Sequence, residues 1–312
     1  MPEDPDESFV IRTLTAHAGI RPSPALAVGP GDDAAVLDSG LVVTVDAMVE
    51  GVHWDSKLSA EDVGWKLVMV NASDIGAMGA RPRYALLALS LPPPISAAWV
   101  EGFARGLHGA LTEVGASLIG GDTTASVGST VASLTMFGQL DTPPLRRSGA
   151  RPGDRVWVSG TLGDAAGGFL LDAPPDALRA ALRRPRPPLA LGPALAGLAS
   201  AAMDLSDGLA TDLTRLCAAS GCGAIIEPGA LPISPALAAC CADPVPLAVG
   251  FGEDYGLLFT APPDASEAIE VLATQLGLQV TDVGHCTADG AVRLAGRPWP
   301  RAWQHFSPGG PL

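Results

Sequence analysis

Two α/β domains joined by a linker are what this sequence predicts, and three observations predict it. The chain has 312 residues, more than one core of ordinary size uses. Runs with the alternation of strands recur between stretches with helical spacing. A turn-rich segment at 142–154, T-P-P-L-R-R-S-G-A-R-P-G-D, separates one strand-helix alternation from a second. The expected division is 1–141, an N-terminal α/β domain, and 142–312, a C-terminal one.

The elements follow in order. A short helix is expected from about Ser8 to Ala18, then two strands, A-A-V-L-D and L-V-V-T-V-D, around the turn D-S-G. Asp46 closes the second strand. Ser59 and Asp62 form a capping-box pattern opening a helix whose buried stripe is Val63, Leu67, Val70 and Met78, with Gly79 and Pro82 as its stop. Asn71 and Asp74 lie near that stripe instead of opposite it, an odd place for residues with no task. A strand at 83–91, a helix from Ser96 to about Val114 stopped by Gly115, and two strands, S-L-I-G-G-D and T-V-A-S-L-T-M-F-G, complete the first half. R-V-W-V-S-G then starts the second alternation, interrupted by a Pro/Arg-rich loop near 183–188. Two such layers leave a crevice between them, the default place for a ligand.

Composition narrows the function. Hydrophobic residues make up 47% of the chain and charged ones 17%, a globular balance. The formal charge of −14, from 33 acidic against 19 basic residues, argues against nucleic acid or an anionic membrane as partner. It also repels any phosphate-bearing ligand unless metal ions reverse the local sign. Lys57 and Lys66 are the only lysines, and no glycine-rich loop ends in Lys-Ser or Lys-Thr, so a P-loop is excluded. Five cysteines without a paired C-x-x-C point to small buried residues in a reducing compartment, not to zinc. The acidic N-terminus is no signal peptide, and the longest apolar stretch, Ala85 to Leu91, is too short to span a bilayer. A soluble cytoplasmic protein is expected.

The acidic residues carry the chemistry. G-P-G-D-D at 29–33 sets Asp32 and Asp33 in a glycine turn before an apolar run. Asp46 ends T-V-D, Asp74 sits in N-A-S-D, Asp122 ends I-G-G-D, and Asp204 and Asp207 frame D-L-S-D-G. Any one of them is explained by a turn or cap; Asp207, before Gly208 and Leu209, suits a helix start. Seven at the edges of apolar elements are not, because like charges gathered near a core need cations. Magnesium takes one or two carboxylates per ion and completes its shell with water and phosphate, so a dispersed Asp set suits several Mg²⁺ ions on a polyphosphate. Calcium competes, although no EF-hand loop is present. I-G-G-D-T-T and G-T-L-G-D-A-A-G-G (160–168) could cradle phosphate, or be tight strand exits. Arg146 and Arg147 could neutralise it, or be solvated in the linker.

Taken together, G-P-G-D-D-A-A-V, T-V-D-A-M-V-E-G-V-H-W, V-N-A-S-D-I-G-A-M-G-A-R-P, I-G-G-D-T-T, R-S-G-A-R-P-G-D, D-L-S-D-G-L-A-T-D-L and G-E-D-Y occur in an order that resembles the thiamine-monophosphate kinase family. The resemblance runs from about residue 8 to the C-terminus. Single pieces are shared with aminoimidazole ribonucleotide synthetase, selenophosphate synthetase and the hydrogenase-maturation carbamoyl dehydratase. It implies an N-terminal ATP- and metal-binding α/β domain that pairs across a homodimer into a barrel-like sheet, a C-terminal α/β domain with a mixed sheet, and ATP in the cleft. The implied reaction is γ-phosphoryl transfer from ATP to thiamine monophosphate. By position, Asp33, Asp46, Asp74, Asp122, Asp204 and Asp207 match magnesium ligands, and Thr44 and Val45 match further metal contacts. Where relatives often have Ser-Thr, Val45 could supply only its carbonyl. Gly121, Asp122, Arg147 and Ser206 match nucleotide contacts; His53, Glu253 and Trp303 match residues that hold thiamine phosphate. Two departures are G-P-G-D-D for the usual G-I-G-D-D, which stiffens the turn and spares both acids, and G-F-G-E-D-Y for G-G-E-D-Y.

The implied acceptor is an anionic phosphate, so no protein base or nucleophile is required; positioning and charge neutralisation suffice. His53 then reads as a hydrogen bonder or a loop histidine, and Trp303 as a stacking ring or a seal on the C-terminal segment. Selenophosphate synthesis is disfavoured because the first cysteine is Cys217, and carbamoyl dehydration because the chain ends S-P-G-G-P-L. Another acceptor, or a nucleotide-binding regulator without turnover, are the competing readings.

Overall fold

The computed structural model describes residues 7–18 and 23–300. The first half runs α1 (Glu7–Ala18), β1 (Leu26–Val28), β2 (Ala35–Leu37), β3 (Leu41–Val49), α2 (Ala60–Ala77), β4 (Arg81–Leu91), α3 (Ala97–Val114), β5 (Ser117–Ala125) and β6 (Val131–Gln139). The second runs β7 (Arg155–Ser159), α4 (Asp164–Leu170), α5 (Asp176–Arg183), α6 (Leu191–Ala194), β8 (Ala201–Asp204), α7 (Leu209–Ser220), β9 (Gly223–Ile226), α8 (Pro235–Cys240), α9 (Val245–Gly250), β10 (Leu257–Ala261), α10 (Ser266–Leu276), β11 (Val280–Thr287) and β12 (Val292–Leu294). Each half holds one six-stranded mixed sheet, in the orders β1-β2-β3-β6-β4-β5 and β12-β9-β11-β7-β10-β8. Only the β4–β5 and β9–β12 pairs are parallel. The first follows from the crossover through α3, since parallel neighbours need a long connection.

Local chemistry starts and stops the elements as the sequence predicts. The Ser59 hydroxyl accepts from the Asp62 N–H at 3.1 Å and the Asp62 carboxylate accepts from the Ser59 N–H at 3.3 Å, a reciprocal cap on α2. Gly115, with φ 71°, closes α3 in the left-handed region. The two helices cross closely: a Cβ on Gly64 would lie 2.2 Å from the Phe103 carbonyl oxygen, and one on Gly106 only 1.8 Å from that of Glu61. With its apolar residues on all sides, α2 is buried along nearly its whole length, between the first sheet, α3 and the second half.

The two sheets are covered differently. Along β6 every second residue is buried, among them Ala132, Leu134 and Met136, and these pack with the α2 and α3 residues on one face. The opposite face stays half open. In the second sheet, Val156, Val158, Met203 and Leu258 face one core with α7, while Trp157, Ala202, Leu257 and Phe259 face another with α6 and α10. Both of its faces are therefore filled. All five cysteines are free thiols, three of them buried. Among the described residues no helix is long and apolar enough to cross a membrane.

Candidate active site

A cleft of about 550 Å³ opens between the halves. β3 brings Thr44, Val45 and Asp46 to it, the turn before β2 brings Asp33, and α2 brings Lys66 and Asp74. Arg147 comes from the connection between the sheets, Asp204 from the end of β8, and Ser206 and Asp207 from the turn that follows. His53 and Glu253 also line it. Gly121 and Asp122 do not: they lie on β5, which is exposed throughout. Gly121 has a backbone reason to be glycine, since a Cβ there would meet the Leu87 carbonyl oxygen at 1.9 Å. Trp303 lies outside the described residues.

Three of the acids converge. Asp33, Asp74 and Asp204 each present a carboxylate oxygen such that all three oxygens lie within 4.8 Å of one another. They are aimed by neighbours. The Thr44 hydroxyl donates to Asp74 at 2.6 Å, the Ser73 hydroxyl donates to Asp204 at 3.0 Å, and Asn71 accepts the Asp46 N–H at 3.0 Å. The odd placement of Asn71 on the buried face of α2 is thus explained. Arg147 donates twice to one oxygen of Asp33, at 2.9 and 2.5 Å. The other oxygen, Oδ2, is buried without a hydrogen-bond partner, an expensive state for a carboxylate and one that a bound cation would relieve.

Asp32 faces elsewhere. Its oxygens accept from the Arg147 N–H at 2.7 Å and from the Arg146 side chain at 3.2 Å, so it ties the connection to the turn. Val45 is 61% exposed, and beside it Thr44 is buried, so strand alternation turns the valine away from Asp74.

Burial and mutual repulsion dominate the electrostatics. Burial raises Asp33 above the ordinary carboxylate range, against the pull of Arg147. Burial, then Asp207, pushes Asp46 up to about 6. Asp74 and Asp204 stand well above their ordinary value, through burial and then the charges of the other acids. Such a set favours protons or cations over free negative charge.

Further acids surround the group. Asp207 does not cap α7; the cap position is Gly208. Instead Asp207 pairs with Arg215, and its N–H donates to the buried Asp212 at 3.1 Å. Asp254 accepts the Gly163 N–H at 3.0 Å and so occupies the start of α4. The glycine-rich turn at 160–168 is therefore held by the protein's own carboxylate and is not an open phosphate cradle. Asp212 and Asp254 are functional-looking acids that sequence reasoning passed over; their motifs, D-L-S-D-G-L-A-T-D-L and G-E-D-Y, were the available signal.

The part of the cleft around His53 is apolar by comparison. Val52, Trp54 and Leu58 line it from the first half, Phe169 and Phe251 from the second. The two phenylalanine rings sit 5.8 Å apart, and the Lys57 ammonium lies 4.3 Å over Phe169. Nδ1 of His53 accepts the Val49 N–H at 3.0 Å, which leaves Nε2 as the donor of the neutral ring.

Comparison with known proteins gives the family. Residues 31–140 match the family model described as AIR synthase related protein, N-terminal domain, and residues 151–297 match its C-terminal domain. The chain is 39% identical over 277 residues to the thiamine-monophosphate kinase of Salmonella typhimurium, covering 84% of each. It resembles the crystal structure of thiamine-monophosphate kinase from Stenotrophomonas maltophilia with a TM-score of 0.78 at 39% identity, over 92% of this chain and 96% of that one. A structure described as AaThiL complexed with AMPPCP and TMP matches with a TM-score of 0.85 at 31% identity, over 96% and 97%. On the strength of its paired domains, its convergent acids and these likenesses, the chain belongs to the thiamine-monophosphate kinase family.

Proposed function

We propose that this chain transfers the γ-phosphoryl group of ATP to thiamine monophosphate, yielding thiamine diphosphate and ADP. The observation that carries the reading is the meeting of Asp33, Asp74 and Asp204 in the cleft, with one Asp33 oxygen buried and unpartnered. A hard-oxygen donor set of this kind fits magnesium. Asp33, Asp46, Asp74, Asp204 and Asp207 would hold the ions, with the Thr44 hydroxyl and the Val45 carbonyl as further contacts; Asp122 and Gly121 lie outside the cleft of one chain, so their assignment to metal and nucleotide rests on the I-G-G-D motif alone. Bound there, magnesium supplies positive charge for a polyphosphate in a cleft that otherwise repels it. Arg147 and Ser206, with the backbone at Gly121, are assigned to the nucleotide. His53, through Nε2, Glu253 and Trp303 are assigned to the acceptor. The acceptor phosphate is anionic at neutral pH, so the chain needs to orient it and exclude water, with no proton to abstract.

We assign the working form to a homodimer. β5 is an edge strand, paired on one side to β4 and exposed along its length, and Leu118 and Ile119 on it are 44% and 57% exposed. Val45 and Tyr84 add apolar surface on the same sheet. An apolar edge and face of that extent suit a second copy of the chain, whose sheet would close against this one in a barrel-like pairing. The boundary near 141 and a cytoplasmic setting, consistent with five unpaired thiols, complete the assignment.

The test is direct. Purified protein with Mg-ATP and thiamine monophosphate should yield equimolar thiamine diphosphate and ADP. Absence of product at saturating metal overturns the assignment, and nucleotide binding without transfer to the acceptor identifies a regulator instead.

A further inference from the structure

Lys66 is among the largest wholly buried side chains of the described residues, with 1% of it accessible. An ammonium in that position is costly unless paired. Its partner is Glu253, 187 residues away in the other half of the molecule. The second carboxylate oxygen of Glu253 accepts from the Tyr255 hydroxyl at 3.3 Å. Both oxygens of one side chain are thus held, one from each side of the cleft.

The backbone carrying Glu253 is equally constrained. Glu253 and Tyr255 are the two non-glycine residues with positive φ among the described residues, at 74° and 47°. Such conformations are costly and persist where surrounding contacts enforce them, most often at functional sites. Here the Glu253 N–H donates to the Ser206 carbonyl and the Tyr255 N–H to that of Leu205, each at 2.8 Å. Gly252 lets the strands of loop approach: a Cβ there would lie 2.1 Å from the Ser206 carbonyl oxygen. The G-F-G-E-D-Y loop is therefore bolted onto the D-L-S-D turn that carries Asp204 and Asp207.

One helix ties the two ends together. α2 supplies Lys66 to Glu253 and, seven and eight residues later, Ser73 to Asp204 and Asp74 to the carboxylate group. At 1.5 Å rise per residue the two points of attachment lie about 11–12 Å apart along the axis. A glutamate fixed at that spacing from the acid cluster marks one end of a span whose other end is the reacting phosphate. An ionised carboxylate retains free lone pairs after accepting two hydrogen bonds, so Glu253 can still receive an N–H donor from a ligand.

We propose that Lys66 is a positioning residue for acceptor recognition: it fixes Glu253 toward an N–H-bearing heterocycle of the phosphorylated acceptor, at a distance from the metal-binding acids set by α2. The inference rests on the reading of thiamine monophosphate as acceptor. Lys66 itself stays buried and touches no substrate; its effect passes through Glu253.

The experiment is steady-state kinetics of the full chain, with each substrate varied in turn. Lys66→Met is expected to raise KM for thiamine monophosphate at least about tenfold while KM for ATP stays within about twofold. Glu253→Gln should do the same, and the double variant should be no worse than the poorer single one, because both act on one contact. Unchanged KM for the acceptor in Lys66→Met, equal rises for both substrates, or effects that simply multiply in the double variant would each overturn the inference. Should Lys66→Met fail to fold, Tyr255→Phe keeps the ring and removes the second hold on Glu253. It should raise the same KM by about threefold and no other, and an unaltered value overturns the proposal. Absence of thiamine diphosphate with the unaltered protein overturns the acceptor reading itself, a result separable from a variant without effect.

Discussion

The two sheets of this molecule have the same number of strands and opposite degrees of completion. β7, β8 and β10 are buried on both faces by cores that contain α7 on one side and α6 and α10 on the other. In the first sheet α2 and α3 pack on a single face, while β5 is exposed at every residue and Val45 and Tyr84 are 61% and 51% exposed. A sheet filled by its own helices is finished as a monomer; one with an apolar open face is finished by something else. The lesson is that the second half completes its own burial while part of the first sheet stays open, and the proposed association with a second copy would fall on that open part.

The strongest challenge to this contrast comes at the seam, where the halves contribute acids jointly. Asp74→Asn and Asp204→Asn, one from each half, should each lower kcat by at least about 10³-fold while the far-ultraviolet circular dichroism spectrum stays unchanged. Near-normal turnover in either would mean that one half holds the ions alone.

A smaller effect tests the open face itself. Ile119→Asp on β5 should weaken self-association by about 10²-fold or more in sedimentation equilibrium. Val271→Asp, on the 51% exposed side chain of α10, should leave the mass distribution unaltered and stability within about 0.5 kcal/mol. If the two substitutions behave alike, the asymmetry between the sheets has no bearing on association.

The smallest effect concerns a polar contact joining the halves. Arg184 donates to Asp62 at 2.7 Å and to Glu61 at 2.9 Å, and its guanidinium lies 5.5 Å from the Trp65 ring. Burial alone would raise Asp62, but hydrogen bonds from Arg184 and Ser59 hold it below its ordinary 3.8. Arg184 is partly solvated, so Arg184→Ala should cost only about 1 kcal/mol at neutral pH. The folded state holds the Asp62 proton less tightly than the unfolded chain does. The contribution is therefore present above the ordinary carboxylate range and lost as pH falls below it, and the denaturation midpoints of the two proteins should converge there. A gap that persists in acid would assign the contact to packing on Trp65.

How much of this was legible in the sequence depended on whether the determining contact was local. The Ser59–Asp62 cap, the stop at Gly115 and the alternation along β6 are set by neighbours within a few residues, and the structure has them as expected. The convergence of Asp33, Asp74 and Asp204 was readable as a pattern of acids at apolar edges, since unpaired charge in such places demands an explanation. The roles of Lys66, Asp212 and Asp254 were not. Lys66 is one of only two lysines, and its partner is 187 residues distant, beyond any local pattern. Asp254 reaches Gly163 across 91 residues, which turned a candidate phosphate loop into a capped helix. Asp122 illustrates the opposite limit: its motif is clear, yet it stands on the exposed edge strand, outside the cleft of a single chain.

Helix α2 belongs to the first half by sequence order and packs mostly there, yet it also grips the second half through Lys66 and Ser73. This has a consequence for recombination. A hybrid that joined residues 1–141 of this chain to the C-terminal portion of a homologue would inherit Lys66 and Ser73 while exchanging the residues they meet, Glu253 and Asp204. Crossovers that respect the linker would still cut through these pairings, so the unit that evolution can shuffle intact is larger than either half.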